Sequence, residues 1–281
     1  MSHTNPSPSL SEVFGRVLPF IAVALTLLAL TFVLPYINPY GSPVLDLRGS
    51  VAMFAYYLTV SGSGSFGPLT ATAIVLFVVL RPGISMGQRL KEFVIIYGTV
   101  LVVIQVWVNI EPRAKAAVAM PRPVIVELSS QPASAPVLGI PMDQFYTLTP
   151  QARYERLKTV LTPELQTPAM NPLIREHWLV MTDYGFPSGH SVGAMLNAIL
   201  FLCLAYAVLP PSWRWPSLVV FVWMVAICYS RTMLREHAPI QVLAGGTIGV
   251  VLGLTAFTVS RAILSVFSRS GAQPSRHVSA A

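Results

Sequence analysis

The chain has 281 residues, 54% of them apolar and only 10% charged, with a net charge of +7. A water-soluble domain carries about 25% charged residues, so this composition, with a mean hydropathy of +0.64, excludes a soluble enzyme, a disordered tail and a nucleic-acid-binding domain despite the basic balance. It points to an integral membrane protein, and at roughly 20 apolar residues per span the length holds about six spans and one modest extramembrane insert.

Residues 1–15 are polar and read as a short tail. The first apolar run, Val17 to Leu34, is long for a signal-peptide core and no A-x-A-like site follows it, so it is expected to be an uncleaved first span. Val51 to Val60 suggests a short helix, broken by Ser61-Gly62-Ser63-Gly64-Ser65. A short second span runs from Phe66 to Leu80, and a third from Phe93 to Ile110 after a loop with Arg81, Arg89 and Lys91. Glu111 to Ser188 has no membrane-length apolar run, holds most of the acids and forms the one insert; Thr149-Pro150 announces a helix over Pro150–Val160 inside it.

The remaining spans are expected at Ser191–Leu209, Pro216–Tyr229 and Gln241–Ser260, the last with Gly245, Gly246, Gly249 and Gly253 spaced for close helix packing. Cys203 and Cys228 fall inside apolar runs, as buried thiols do. The expected architecture is therefore all-α, a six-span transmembrane helix bundle. It comprises an N-terminal tail (1–15), a membrane domain (16–261) carrying a periplasmic insert between spans three and four (111–188), and a basic C-terminal tail (262–281). Arg16, Arg81, Arg89, Lys91, Arg214, Arg261, Arg269 and Arg276 fall on one side of the spans, against Arg48 on the other. Positive-inside counting then places both termini in the cytoplasm, with the insert and the turn at 230–240 on the far face. A bacterial inner-membrane protein with a periplasmic site fits this pattern.

Three polar clusters fall at span ends on that far face: Lys115 with Arg122-Pro123, Pro187-Ser188-Gly189-His190, and Ser230-Arg231 with His237. Taken singly, each has an ordinary explanation: interfacial cations that snorkel, a helix cap, a surface histidine. Their coincidence on one face is what suggests chemistry. Lys115, Arg122 and Arg231 supply cations for a phosphate dianion. Ser188 and the Gly189 amide stand at a helix N-terminus, which favours an anion. His190 and His237 remain for bond making and protonation of a leaving oxygen. No carboxylate cluster or CxxC pair accompanies them, so neither a metal site nor a cofactor is expected.

The order K-x6-RP, PSGH, SR-x5-H resembles the type 2 phosphatidic acid phosphatase superfamily, over roughly residues 90–260. The long insert, with Asp143-Gln144-Phe145-Tyr146-Thr147-Leu148 and with His177-Trp178 ahead of Gly185-Phe186-Pro187, is similar to the bacterial phosphatidylglycerophosphatase B branch. The resemblance implies a metal-independent hydrolase of lipid phosphates or diphosphates, with Lys115, Arg122, Ser188, Gly189 and Arg231 binding phosphate. It implies His237 as nucleophile, through a phosphohistidine, and His190 as proton donor. It also implies a lipid partner, phosphatidylglycerol phosphate first and undecaprenyl diphosphate-type lipids next. One position departs from the pattern: Gln241 stands where the family places the aspartate that orients the nucleophile. That departure opens two alternatives, a catalytically weakened lipid-phosphate binder and a lipid phosphotransferase. Glu236 is expected to point away from His237, Asp183 to replace the aspartate only if the fold brings it in, and His177 to be structural.

Overall fold

A serine three residues before a glutamate opens the first helix. Ser9 Oγ accepts from the Glu12 amide at 3.3 Å and Glu12 accepts from the Ser9 amide at 2.7 Å, a reciprocal capping box. The computed structural model describes residues 8–33, 46–62, 66–130, 138–162 and 170–270. Its helices are α1 (Leu10–Leu30), α2 (Ser50–Ser61), α3 (Phe66–Val79), α4 (Met86–Val118), α5 (Pro123–Ser130), α6 (Met142–Thr147), α7 (Pro150–Val160), α8 (Pro172–Leu179), α9 (Gly189–Val208), α10 (Trp215–Met233) and α11 (Pro239–Ser270). Among the described residues, extended pairing is limited to one isolated bridge, Leu47 with Met170, so the fold is all-α.

Three expected boundaries need correction. The capping box starts α1 at Leu10, inside the segment read as a tail; His3 lies outside the described residues. α4 does not stop with its apolar run at Ile110. Strong helix formers (Arg113, Ala114, Lys115, Ala116, Ala117) carry it to Val118, and Ala119 ends it in the left-handed region at φ 47°. The chain thus leaves the helix only at Ala119, beyond both Glu111 and Lys115. α11 likewise continues past Ser260 to Ser270. The Lys91 ammonium lies 5.2 Å from the Phe267 ring in that extension. The rest of the C-terminal tail, with Arg276 and His277, lies outside the described residues.

Among the described residues, five helical segments are long and apolar enough to cross a membrane: Leu10–Val33, Met86–Ser129, Gly189–Val208, Pro211–Met233 and Pro239–Phe267. α3 has 14 residues, about 21 Å of helix against a hydrocarbon core of about 30 Å. Its exit residue Arg81 is not a free loop charge. It is buried and bidentate to Glu92, at 2.6 and 2.8 Å.

α9 forms the centre of the bundle and is apolar and buried almost all round. α11 approaches it backbone to backbone through the expected glycines. A Cβ on Gly245 would fall 2.4 Å from the Ser188 carbonyl oxygen, one on Gly249 2.4 Å from that of Val192, and one on Gly253 2.8 Å from that of Leu196. Cys203 and Cys228 are free and buried within this packing. Helices α5 to α8 pack a second core, with Phe145, Ile174 and Trp178, onto Ala52 and Ala55 of α2. The Trp178 indole N–H donates to the Leu234 carbonyl at 3.0 Å. This seats the insert over the end of the bundle where α4 and α10 finish and α9 and α11 begin.

Candidate active site

That end gathers the sequence motifs. Lys115 is in the last turn of α4, Arg122 in the link before α5, Ser188 caps α9, and Gly189 and His190 open it. Arg231 is in the last turn of α10, His237 lies between α10 and α11, and Gln241 is in the first turn of α11. A cleft of about 560 Å³ is lined at its polar end by Glu111, Lys115, Arg122, Asp183, His190 and His237, and it continues between apolar walls of α3, α4 and α9.

The His237 ring is held from both sides. Nδ1 faces the Gly185 carbonyl oxygen at 2.8 Å and Gln241 Oε1 at 3.2 Å, so it carries the proton and donates to them. Nε2 therefore keeps its lone pair and accepts from Arg122 Nη1 at 2.9 Å. The Gln241 amide cannot turn over without losing its partners. Oε1 accepts from the Ala238 N–H at 3.0 Å, a pure donor, and Nε2 donates to the Pro121 carbonyl at 2.8 Å, a pure acceptor. Gly185 makes room for this amide, since a Cβ there would fall 2.3 Å from Gln241 Oε1. Burial, followed by Arg122 and Arg231, pushes His237 well below the ordinary 6.5, so its imidazole is neutral at neutral pH.

Two of the cations expected to bind an anion, Lys115 and Arg122, already hold a carboxylate. Asp183 binds Lys115 Nζ and Arg122 Nη2 through its two oxygens, and its carbonyl accepts from Arg122 Nε at 2.9 Å. Burial alone would raise the Asp183 carboxyl, but Arg122 and Lys115 outweigh it and hold it below the usual range. Glu111, one turn before Lys115, bonds the same ammonium at 2.9 Å. Arg122 is also fixed through its backbone, its amide donating to the Tyr146 hydroxyl at 3.1 Å. Tyr146 stacks on Tyr184 with ring centroids 4.1 Å apart. Arg153 of α7 ties the insert to the Asp183 segment by donating to the Tyr146 and Thr182 carbonyls.

Two expected phosphate ligands sit behind the cleft surface. Arg231 is fully buried, ion-paired to Glu236, and donates to Thr59 Oγ1 at 2.9 Å. Ser188 is also fully buried; its Oγ accepts from Ser191 Oγ at 3.0 Å, and its amide donates to the Gln241 carbonyl at 3.0 Å. Lys115, Arg122, Gly189, His190 and His237 do line the cleft. His190 Nε2 is buried without a hydrogen-bond partner, free for an incoming oxygen.

Sequence reasoning went no further with Glu236 than its turning away from His237. It points away from His237, as expected, but into a fully buried position between Arg231 and His177, whose Nδ1 lies 2.6 Å from Glu236 Oε1. Burial would raise this carboxyl; Arg231 and the His177 hydrogen bond lower it instead. Asp183 does reach the site, yet on Lys115 and Arg122 rather than on His237. Thr59, from the short α2, carried no signal beyond lying on an apolar helix. The Glu111–Lys115 pair was visible as i,i+4 spacing.

A sequence model of the PAP2 superfamily matches residues 93–264. Phosphatidylglycerophosphatase B of Escherichia coli K12 is 30% identical over 168 residues, 59% of this chain and 53% of that protein, so the chain spans about half of that relative's length. The protein of the same name from Haemophilus influenzae is 28% identical over 214 residues, 74% of this chain and 82% of its own. An undecaprenyl-diphosphatase from Sulfolobus acidocaldarius is 32% identical over 68 residues, 24% of this chain and 30% of that protein. The matched segment begins within α4, takes in every motif side chain around the cleft and ends within α11; the chain belongs to the PAP2 superfamily.

Proposed function

We propose that the protein is an integral membrane lipid phosphate phosphatase that removes a terminal phosphate through a phosphohistidine at His237, without metal. The observation that carries this reading is the His237 ring held with Nδ1 on the Gly185 carbonyl and Nε2 on Arg122, in the cleft that also holds His190. In the reaction, His237 Nε2 forms a bond to phosphorus as the bond from phosphorus to the lipid oxygen breaks, and His190 gives that oxygen its proton. Water then attacks the phosphohistidine, its proton returns to His190, and inorganic phosphate leaves. Lys115, Arg122 and the Gly189 amide at the α9 N-terminus offset the charge on the phosphoryl oxygens, with Arg231 adding a fixed positive charge from behind. The names of the relatives support phosphatidylglycerol phosphate and undecaprenyl diphosphate as substrates. The topology that goes with this reading has six spans, counting α3, cytoplasmic termini and a bacterial inner-membrane site on the periplasmic face. Detergent-purified protein is expected to release phosphate from these lipids with a chelator present. A strict requirement for added metal overturns metal independence, and no release from any lipid phosphate overturns the phosphatase reading.

The locked Gln241 amide supports turnover over the weakened-binder reading, because it presents an acceptor to Nδ1–H as an aspartate would, though without the charge. In the serine-protease triad, Asp→Asn costs about 10⁴ because the wrong tautomer results; here the backbone partners exclude that tautomer. Gln241→Asp is therefore expected to change kcat by less than about ten-fold. A gain of about 10³ or more would establish a weakened protein. The two positions are coupled: Gly185→Ala drives a methyl into the Gln241 amide and is expected to lower kcat by about ten- to a hundred-fold. The shorter side chain of Gln241→Asp is expected to restore most of that loss. Independent effects of the two substitutions contradict the coupling.

Two further results follow from the charges. Since phosphate must take Lys115 and Arg122 from Asp183, Asp183→Asn is expected to lower KM by about three- to ten-fold; an unchanged or raised KM shows that the carboxylate does not compete. Since the nucleophile works unprotonated and its pKa lies well below 6.5, the acidic limb of kcat/KM is expected below pH 6.5. A limb at or above that value contradicts the neutral imidazole.

A further inference from the structure

The turn between α10 and α11, Leu234 to Ala238, carries His237, and the insert grips it residue by residue. Three successive carbonyls accept from that side. Leu234 takes the indole N–H of Trp178 in α8 at 3.0 Å, Arg235 the amide of Val124 in α5 at 3.1 Å, and Glu236 the Arg122 Nη1 at 3.1 Å. Inside the turn the Glu236 and His237 amides both donate to the Arg231 carbonyl, at 3.0 and 3.1 Å. The chain makes this tight reversal at Arg235, whose φ of 58° lies in the left-handed region that residues with a Cβ rarely adopt. Such a backbone persists only where its surroundings fix it.

The Arg235 side chain is part of that fixing. Its Nη1 donates to Glu127 Oε1 of α5 at 2.6 Å, and its guanidinium lies 5.9 Å from the Trp178 ring centroid. Both charges are buried, and neither residue is among those that line the cleft. An exposed pair would hold little. An enclosed one keeps its two ends together, because parting them leaves a charge away from water. We propose that Arg235 is a positioning residue for the phosphatase reaction: pinned to Glu127, it holds the turn so that the His237 ring, two residues on, meets the Gly185 carbonyl and Arg122 at bonding distance. The inference rests on the phosphatase reading above and deepens it, by giving the insert a part in the chemistry. Neither Arg235 nor Glu127 meets the substrate; their effect reaches phosphorus through the direction of the His237 Nε2 lone pair. Arg122 is held independently of them, by Asp183 and Tyr146, so loosening the turn acts on attack rather than on phosphate binding.

Arg235→Met and Glu127→Leu, made singly and together in the full chain, test this in detergent on phosphatidylglycerol phosphate. Each single change is expected to lower kcat about ten- to a hundred-fold with KM held within about three-fold, the scale of a small misplacement of an attacking atom. The two ends are expected to give the same loss although they stand 108 positions apart. Each single change also lowers the thermal midpoint, because it leaves a buried charge without its partner. In the double variant the midpoint is expected to return most of the way, since apolar replacement of both charges is often close to neutral. Its kcat is expected to stay as low as in the single variants, because an apolar pair packs without pinning the turn. That split separates positioning from stability. A kcat that recovers together with the midpoint overturns the inference and leaves the pair a structural part alone. An unchanged kcat in the single variants, or a loss carried by KM, overturns it as well. Where a single variant does not fold, the double variant decides: a kcat at least about ten-fold below that of the unsubstituted protein supports the inference, and a smaller loss overturns it. All of these outcomes leave the phosphatase reading intact. Failure of the unsubstituted protein to release phosphate from any lipid phosphate overturns that reading, and the inference with it.

Discussion

His237→Ala is expected to reduce phosphate release by about 10⁴- to 10⁶-fold, the scale on which a covalent nucleophile is lost. The ring accounts for this size because every contact around it prepares one nitrogen. The Gly185 carbonyl and Gln241 Oε1 accept from Nδ1–H, which leaves the lone pair on Nε2. Arg122 lies against that nitrogen at 2.9 Å, so a phosphoryl group drawn in by its guanidinium arrives beside the attacking atom. His190→Ala is expected to cost less, about 10²- to 10⁴-fold, and least with lipids whose leaving oxygen needs no proton. Substrate binding by the His237 variant, followed by thermal stabilisation in detergent, is expected to persist, since the cations remain. Residual activity within ten-fold of the unsubstituted protein would show that another group attacks phosphorus.

The second large effect is on stability. Glu236→Ala leaves Arg231 as a fully buried cation without its carboxylate, and breaking a buried pair on one side costs about 3–5 kcal/mol. The same change strips His177 of its 2.6 Å partner, loosening α8 on the bundle. Glu236→Gln keeps a hydrogen-bonding group toward His177 but no charge, and is expected to cost less. Arg231→Met combined with Glu236→Ala removes both charges and is expected to recover much of the stability, because apolar replacement of a buried pair is often close to neutral. Thermal unfolding in detergent measures the series. A single Glu236→Ala variant as stable as the unsubstituted protein would show that Arg231 is neutralised by other means.

The helical spans were legible because their signal is local: long apolar runs, glycines at helix-packing spacing, and a Thr-Pro helix start at α7 that the structure reproduces at Pro150–Val160. Helix ends were less legible, because hydropathy reports where the apolar run stops and not where the helix does. Lys115 stands on α4 for that reason. The motif residues could be read as a site, since each lies at the end of a span and spans alternate in direction. Their partners could not. Asp183 lies 68 positions from Lys115 and Thr59 172 positions from Arg231, and no periodicity links residues across such distances. Glu236 does turn away from His237 as expected, but adjacency says only which way a side chain does not point and could not name the two groups it meets, Arg231 and His177.

The central claim is that phosphorus passes to His237, and trapping the phosphoenzyme tests it most directly. Purified protein turning over a lipid labelled in its terminal phosphate is quenched and denatured in alkali with a chelator present. The expected result is an alkali-stable, acid-labile label on the peptide containing His237, absent from the His237→Ala protein. Steady phosphate release with no protein-bound label, or with label on another side chain, would contradict it.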